Sequence, residues 1–455
     1  MNDLSKVNKI LVAGLGKSGL AVLDSLLALG VPASVYDVKG RESLDPGLLD
    51  MLRKKNVNCY HGETSGLPEK FDIVVISPGI SPESEFIKKA EDDGSVIIGE
   101  LEFAFMTGKG NFVAITGTNG KTTTTALTGE IFKNAGLDAY VAGNIGVAVS
   151  SVVWVTRDES WLITEVSSFQ LETIRNFKPR ISAILNITPD HLDRHKTMER
   201  YIEAKSRVFI NQDENDYFVV NYDDKETYAL SSGCKAKVVP FSRISELEFG
   251  VFVKDGIITA RGEDGKLTEF CGVKELLIPG EHNIENAVAA AAISYFIGIQ
   301  PAVIAETLKT FKGVEHRLEF AGEKNGVRFV NDSKATNPDA SIKAVRAIEG
   351  SIVLIAGGYD KNSSFDGFIE AFGGKVKHMA LLGATAAIIK ETAERKGFNN
   401  SAIHKDMEEC VNKAFELAEP GDTVLLSPAC ASWDMYNSFE ERGAHFKNCV
   451  NRLGN

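Results

Sequence analysis

The chain of 455 residues contains no apolar run of about 18 residues, so no segment is long enough to cross a bilayer as a helix. Its first residues, Met-Asn-Asp-Leu-Ser-Lys ahead of the short apolar stretch 10–13, lack the apolar core of an export signal. A cytoplasmic protein is expected. Cysteine is sparse: Cys59, Cys234, Cys271, Cys410, Cys430 and Cys449 stand without Cys-x-x-Cys pairs or histidines at ligand spacing, which predicts neither disulfides nor a structural zinc. A basic surplus is also missing. With 50 Lys and Arg against 62 Asp and Glu, the net charge of −12 argues against a polynucleotide partner. It also repels anionic small molecules, so any such ligand must be held by local lysines, arginines, helix N-termini or metal ions. There is no close internal repeat and no low-complexity tract.

What is present is a globular composition, 44% hydrophobic and 25% charged. At about 150 residues per domain the length suits two to four domains. Short apolar runs at 9–13, 33–37, 72–77 and 96–98 alternate with amphipathic stretches at 19–29 and 83–92, which reads as a βαβ series with a parallel sheet. A second series starts at 111, with strands at 112–115, 139–141, 161–164 and 181–187 and a helix at 121–135. After Tyr217 the texture turns to hairpins, with Lys254-Asp255-Gly256 as the turn between 251–253 and 257–260. An alanine-rich helix at 283–297 and a link at 311–315 close that section. The third series has strands at 328–331, 352–356, 379–382 and 423–426 and helices including 338–348 and 407–417.

The strongest local signal is Thr116-Gly117-Thr118-Asn119-Gly120-Lys121-Thr122-Thr123, between a strand and a helix. Its backbone N–H groups and the helix N-terminus suit phosphate, Lys121 suits the β and γ oxygens, and the Thr122 hydroxyl suits Mg²⁺. Ile115 stands where the general phosphate loop has its first glycine. Glu165 and His191 follow two strands of the same series, at the carboxyl ends where ligands collect in open α/β sheets, and form a candidate Mg²⁺ pair.

Gly14-Leu15-Gly16-Lys17-Ser18-Gly19, with Asp37 ending the next strand, fits a dinucleotide site for NAD; a generic nucleotide-diphosphate site fits equally well. In the third series, Asn337 is placed to cap a helix with Pro338 at its first position. Capping leaves Asp332, Lys334 and Thr336 unexplained. Lys361 and Ser432 also lie past strand ends, and together these groups would suit a small dicarboxylate.

The combination resembles the Mur ligase family. The matching stretches are Gly14 to Gly19, Ser77-Pro78-Gly79, Gly117 to Thr123, Gly143-Asn144-Ile145-Gly146, Glu165 to Gln170, His191 to Arg194, His282 to Asn286, His316-Arg317, Asn331 to Asn337 and Ser427 to Ser432. The short phosphate loop is similar to that family's own form. Asn-Asp-Ser-Lys-Ala-Thr-Asn and Ser-Pro-Ala-Cys-Ala-Ser are similar to its D-glutamate-adding member.

The resemblance implies an α/β fold of three consecutive domains with mainly parallel sheets. The first (1–107) would be Rossmann-like and bind the UDP substrate. The second (108–314) would be a P-loop ATPase-like domain with a small antiparallel extension, and the third (315–455) a Rossmann-like domain for the incoming amino acid. It implies UDP rather than NAD at Gly16, Lys17, Ser18, Gly19, Asp37, Ser77 and Gly79, with Asn144 and Gln170 near the muramoyl part. ATP would lie against Gly117, Thr118, Asn119, Gly120, Lys121, Thr122, Thr123, Asn283, Asn286, Arg317 and Asp332. D-glutamate would be held by Thr336, Lys361, Ser432 and the backbone near Phe439, with Lys334 beside the reacting groups. Thr122, Glu165, His191 and a carbamylated Lys205 would hold Mg²⁺. The implied partners are ATP, UDP-N-acetylmuramoyl-L-alanine and D-glutamate, joined by a monomeric enzyme through an acyl phosphate in peptidoglycan precursor synthesis. A sibling ligase adding another amino acid, an NAD-linked oxidoreductase and a non-catalytic nucleotide sensor are the rival readings.

Overall fold

A computed structural model describes residues 9–62, 67, 69–144, 146–278, 280–359 and 363–454, with the side chains of Asp193 and Asp339 left aside. Three sheets organise these residues. The first contains β1 (Ile10–Ala13), β2 (Ala33–Asp37), β3 (Asn58–His61), β4 (Ile73–Ile76) and β5 (Val96–Gly99), in the order β3-β2-β1-β4-β5. All its pairs are parallel. β1 and β4 are buried along their full length, as the unbroken apolar runs require of strands covered on both faces. The strand order reverses beside β1, which opens a crevice at its carboxyl end, where Gly14 to Gly19 begins.

The second sheet has β6 (Asn111–Thr116), β7 (Ala139–Gly143), β8 (Trp161–Glu165), β9 (Ile181–Ile184), β10 (Tyr217–Asn221), β11 (Lys237–Ser242), β12 (Gly250–Lys254), β13 (Ile257–Arg261) and β14 (Leu267–Gly272). Its order is β14-β13-β12-β11-β10-β9-β6-β8-β7. The texture change after Tyr217 does not mark hairpins at once, because β10 and β11 continue the parallel sheet. Only β12-β13 and β13-β14 run antiparallel, so the extension grows from the edge of the same sheet. Asp255 and Gly256 both take positive φ (50° and 76°) in the turn that the Asp-Gly pair predicts.

The third sheet has β15 (Glu319–Lys324), β16 (Val327–Asn331), β17 (Ile352–Ala356), β18 (Val376–Leu381), β19 (Ser401–Ile403) and β20 (Thr423–Leu426), in the order β15-β16-β20-β17-β18-β19. Sequence patterning places no strand at β3, β10, β11, β14, β15 or β19; of these β3, β14, β15 and β19 occupy sheet edges and are only partly buried. Half-exposed edge strands have no continuous apolar run to betray them.

The chain divides into two compact units. Residues 1–276 and 284–310 form one and carry the first two sheets; 277–283 and 311–455 form the other and carry the third. The expected link at 311–315 begins where the chain enters the second unit for the last time. Within the first unit, two buried carboxyl groups join the first two sheets. Glu102 accepts backbone N–H bonds from Arg175, Asn176 and Phe177 (2.9, 2.8 and 2.9 Å). Glu100 accepts from the Ser150 amide and hydroxyl (2.6 and 2.7 Å), and burial pushes its carboxyl above the usual carboxylate range.

Candidate active site

The loop between β6 and the helix Lys121–Asn134 is held by paired groups. Gly120 caps that helix with φ of 84°, and a Cβ there would lie 2.3 Å from Asn286 Oδ1, so only glycine fits. Asn186, beyond β9, grips Asn119 twice: the Asn119 amide donates to Asn186 Oδ1 (2.8 Å) and Asn186 Nδ2 donates to the Asn119 carbonyl (3.2 Å). Thr118 Oγ1 donates to the Thr188 carbonyl (3.0 Å) and lies 3.1 Å from the Tyr201 hydroxyl. Such a fixed loop presents its amides without reorganisation.

Two lysines converge on this loop. Lys121 Nζ donates to the carbonyls of Gly117 and Thr118, both at 2.9 Å, and Lys205 Nζ donates to the same Gly117 carbonyl at 2.8 Å. Lys205 is 2% exposed and rests on the face of the Tyr201 ring, 4.7 Å from its centroid. Burial, reinforced by the Lys121 ammonium, drives the Lys205 amine well below the ordinary lysine range; Asp190 and Glu165 pull the other way. Tyr201, Asn186 and Asp190 are site residues that sequence reasoning passed over. Only the proximity of Asn186 and Asp190 to His191 in the chain could have pointed to them.

Glu165, at the end of β8, is buried beside the loop. Its Oε2 accepts from Thr122 Oγ1 at 2.8 Å and its Oε1 from Asn144 Nδ2 at 2.9 Å. A carboxylate and a hydroxyl in contact beside a phosphate loop are the hard oxygen donors that Mg²⁺ selects, so the residues fit that ion. His191 has φ of 53°, a strained conformation for a non-glycine residue. Its half-exposed ring stands 3.5 Å from Asp190 and 4.9 Å, between centroids, from Phe169. Gln170, five residues beyond the end of β8, closes a capping box with Ser167.

The glycine turn after β1 is built for close approach. Gly16 precedes the helix Lys17–Ala28, and a Cβ on Gly19 would fall 1.8 Å from the Gly14 carbonyl. Ser77 Oγ donates to that carbonyl at 3.0 Å, and Asp37 receives the amides of Leu15 (2.8 Å) and Lys39 (3.0 Å). Lys17 is exposed and Ser18 half-buried at the start of the helix, while Gly79 has open space where a side chain would be.

In the second unit, Asp332 is enclosed at the end of β16. Ser427 Oγ donates to it at 2.8 Å and the Leu318 amide at 3.2 Å, and burial raises its carboxyl to about 7 despite those bonds and the nearby Arg317. The Lys334 ammonium lies 5.8 Å from the centre of the Phe439 ring, and Thr336 follows in the same loop. Asn337 caps the helix Pro338–Ala347 through Ala340, as expected. Arg442, which sequence reasoning also passed over, is 1% exposed. It donates to Ser333 Oγ and the Ser333 carbonyl (3.0 and 2.8 Å) and to the carbonyls of Cys430 and Ala431 (3.1 and 3.2 Å). It thereby joins the loop holding Lys334 and Thr336 to the loop holding Ser432. Ser333 Oγ in turn donates to the Phe439 carbonyl at 2.8 Å. His316, Leu318 and Ala429 take left-handed φ around this site. Asn283 belongs to the second unit with Arg317 and Asp332, whereas Asn286 belongs to the first, where Thr124 Oγ1 donates to it at 3.2 Å. Lys361 lies outside the described residues.

Comparison with known proteins finds three family matches in chain order. Residues 8–99 match the Mur ligase MurD-like N-terminal domain, 115–294 the Mur ligase middle domain, and 316–430 the Mur ligase glutamate ligase domain. A UDP-N-acetylmuramoylalanine–D-glutamate ligase of Thermoanaerobacter sp. (strain X514) is 50% identical over 451 residues, covering 98% of this chain and 99% of the relative. One from Clostridioides difficile (strain 630) is 48% identical over 450 residues, with the same coverage. Among solved structures, the UDP-N-acetylmuramate-alanine ligase MurC of Thermotoga maritima superposes with a TM-score of 0.60 at 19% identity, covering 97% of this chain and 99% of that one. At that identity the likeness establishes the fold alone.

Proposed function

The chain belongs to the Mur ligase family, and from that premise we propose that it joins D-glutamate to UDP-N-acetylmuramoyl-L-alanine at the expense of ATP, in peptidoglycan precursor synthesis. The observation that carries the reading is the convergence of Lys121, Lys205, Thr122 and Glu165 on one rigid loop. In the proposed division of labour, 1–107 holds the UDP substrate, 108–314 ATP and 315–455 the amino acid.

A carboxylate resists attack by an amine because it has no group to expel. Transfer of the γ-phosphoryl group to the alanyl carboxylate supplies one, and the amine of D-glutamate then displaces phosphate through a tetrahedral intermediate. Lys121 and the loop amides neutralise charge that grows on the transferring phosphoryl oxygens. Mg²⁺, when bound, adds further neutralisation there; Thr122, Glu165 and His191 would hold it. Lys205 would join them as a carbamate. That reading is supported by its depressed basicity, since only the neutral amine adds to carbon dioxide, releasing a proton and leaving a negative carbamate. In the same proposal Gly16 to Gly19, Asp37, Ser77 and Gly79 hold UDP, and Asn144 and Gln170 the muramoyl part. Asn283, Asn286, Arg317 and Asp332 surround ATP, while Thr336, Lys361, Ser432 and the Phe439 backbone receive D-glutamate, with Lys334 beside the reacting groups. His191 or the carboxylate next to it takes the amine proton.

No helix among the described residues is long and apolar enough to cross a membrane. The proposed setting is the cytoplasm, where ATP and UDP-linked substrates reside, and the proposed active species is a monomer. The test is phosphate release with ATP, Mg²⁺ and UDP-N-acetylmuramoyl-L-alanine across D- and L-amino acids. Release that depends on D-glutamate is expected; turnover with another amino acid alone would reassign the enzyme to a sibling activity.

A further inference from the structure

One guanidinium in the first unit touches three segments to which the proposed function gives separate tasks. Arg194 lies in the short helix Leu192–His195 that follows His191. Its Nη1 donates to the Pro78 carbonyl and its Nη2 to the Ile80 carbonyl, both at 3.3 Å, on the loop that carries Ser77 and Gly79. Nη2 also pairs with Glu172 Oε2 at 2.6 Å, just past the helix that presents Gln170. The guanidinium carbon lies 4.6 Å from the centroid of Phe169, whose ring also packs against those of His191 and His195 (4.9 and 5.4 Å between centroids). Glu172 does not end the chain of contacts: its Oε1 lies 3.3 Å from His195 Nδ1, and His195 Nε2 lies 2.9 Å from Ser168 Oγ.

This pair differs from an ordinary surface ion pair, which contributes little. Its side chains are only 17% and 19% exposed, and the same arginine carries two carbonyl acceptors and an aromatic face as well. A planar fork with five donors can meet these partners together, whereas a lysine ammonium on a flexible stem cannot. The loop at 78–80 would otherwise be tied through Ser77 to the first sheet, while Gln170 and His191 ride on the second.

We propose that Arg194, oriented by Glu172, is a positioning residue that fixes the loop proposed to hold the UDP substrate relative to the segment carrying Gln170 and His191, so that the alanyl carboxylate arrives in line with the phosphoryl donor. The proposal rests on the functional reading above. It requires that loss of Arg194 disturb binding of the UDP substrate and the chemical step together, and leave binding of D-glutamate alone, because the residues proposed for that amino acid belong to the second unit.

The experiment is steady-state kinetics of the full-length enzyme with each of the three substrates varied in turn, for Arg194→Lys, Arg194→Ala and Glu172→Gln, with thermal melts alongside. A lost charge-assisted hydrogen bond corresponds to about tenfold to a hundredfold. Arg194→Lys is expected to raise KM for UDP-N-acetylmuramoyl-L-alanine about tenfold and lower kcat about tenfold, with KM for D-glutamate held within about twofold. Glu172→Gln, which preserves shape, moves both in the same direction by less and keeps the role testable where Arg194→Ala does not fold. Wild-type kinetics in Arg194→Lys and Glu172→Gln, or equal shifts in all three KM values that follow a fall in melting temperature, would overturn the positioning role. A wild-type enzyme without D-glutamate-dependent phosphate release overturns the functional reading and this role with it, whereas active wild type beside unaffected variants overturns this role alone.

Discussion

Around the phosphate loop of the first unit, two lysine side chains meet at one carbonyl; in the second unit, a buried guanidinium and a buried carboxyl tie the same two loops together, 332–337 and 427–432. Burial, reinforced by the Lys121 ammonium beside it, depresses the basicity of Lys205, which is held toward the neutral amine. Burial favours the neutral form in the second site too, where the enclosed Asp332 carboxyl rises to about 7. The first arrangement makes a local field for a highly charged ligand. The second spends its buried groups on holding three loop segments in register.

The comparison breaks most sharply at Lys121. Lys121→Ala is expected to lower D-glutamate-dependent phosphate release by about 10³-fold, with a melting temperature shifted by less than about 2 °C, because its partners are loop carbonyls near water. Full turnover in that variant would remove the field from the account.

Lys205→Arg sharpens the same point. A guanidinium keeps the charge and cannot take up carbon dioxide, so kcat should fall about a hundredfold. A carbamate carbon signal seen in wild type after ¹³C-bicarbonate labelling should be missing from the variant. Its persistence would place the modification elsewhere.

In the second unit the expected effect is on stability. Arg442→Ala leaves four acceptor contacts without their donor and should cost about 3 kcal/mol in urea unfolding, with KM for D-glutamate raised as the Ser432 loop loosens. Unchanged unfolding would show that the loops hold register without it.

The gentlest effect, at most about 1.4 kcal/mol per pH unit, is the pH slope set by Asp332. Its carboxyl is raised in the folded protein from 3.8 to about 7, so the native state binds the extra proton across that window. Its contribution to stability is fully present below the unfolded value and is lost as pH rises toward 7. Asp332→Asn, neutral throughout, should flatten that part of a melting-temperature profile; an unaltered slope would show that Asp332 titrates normally.

How much of this could be read from residues in order follows from how each site is assembled. The phosphate loop is one continuous stretch between an apolar strand and a helix, so Lys121, Thr122 and Gly120 are legible directly. Glu165 is legible as a polar residue at the end of a buried strand. Asn337 and Pro338 announce a helix start, and the helix begins there. Arg442 was illegible because it sits inside an amphipathic helix, Phe439–Arg452, where an arginine is ordinarily solvated. Tyr201 was hidden in the same way on the helix Met198–Ser206.

By itself the sequence determined the α/β character of all three series, the place of the phosphate loop and the family. Apolar runs, turn residues and contiguous motifs are local properties that survive without coordinates. Only the tertiary structure decided that the first two sheets share one unit, that β10 and β11 extend the parallel sheet before the antiparallel strands begin, and that Lys205 and Lys121 face one carbonyl. Each of these depends on which distant segments are packed together, and burial, which sets the protonation of Lys205 and Asp332, exists only once they are.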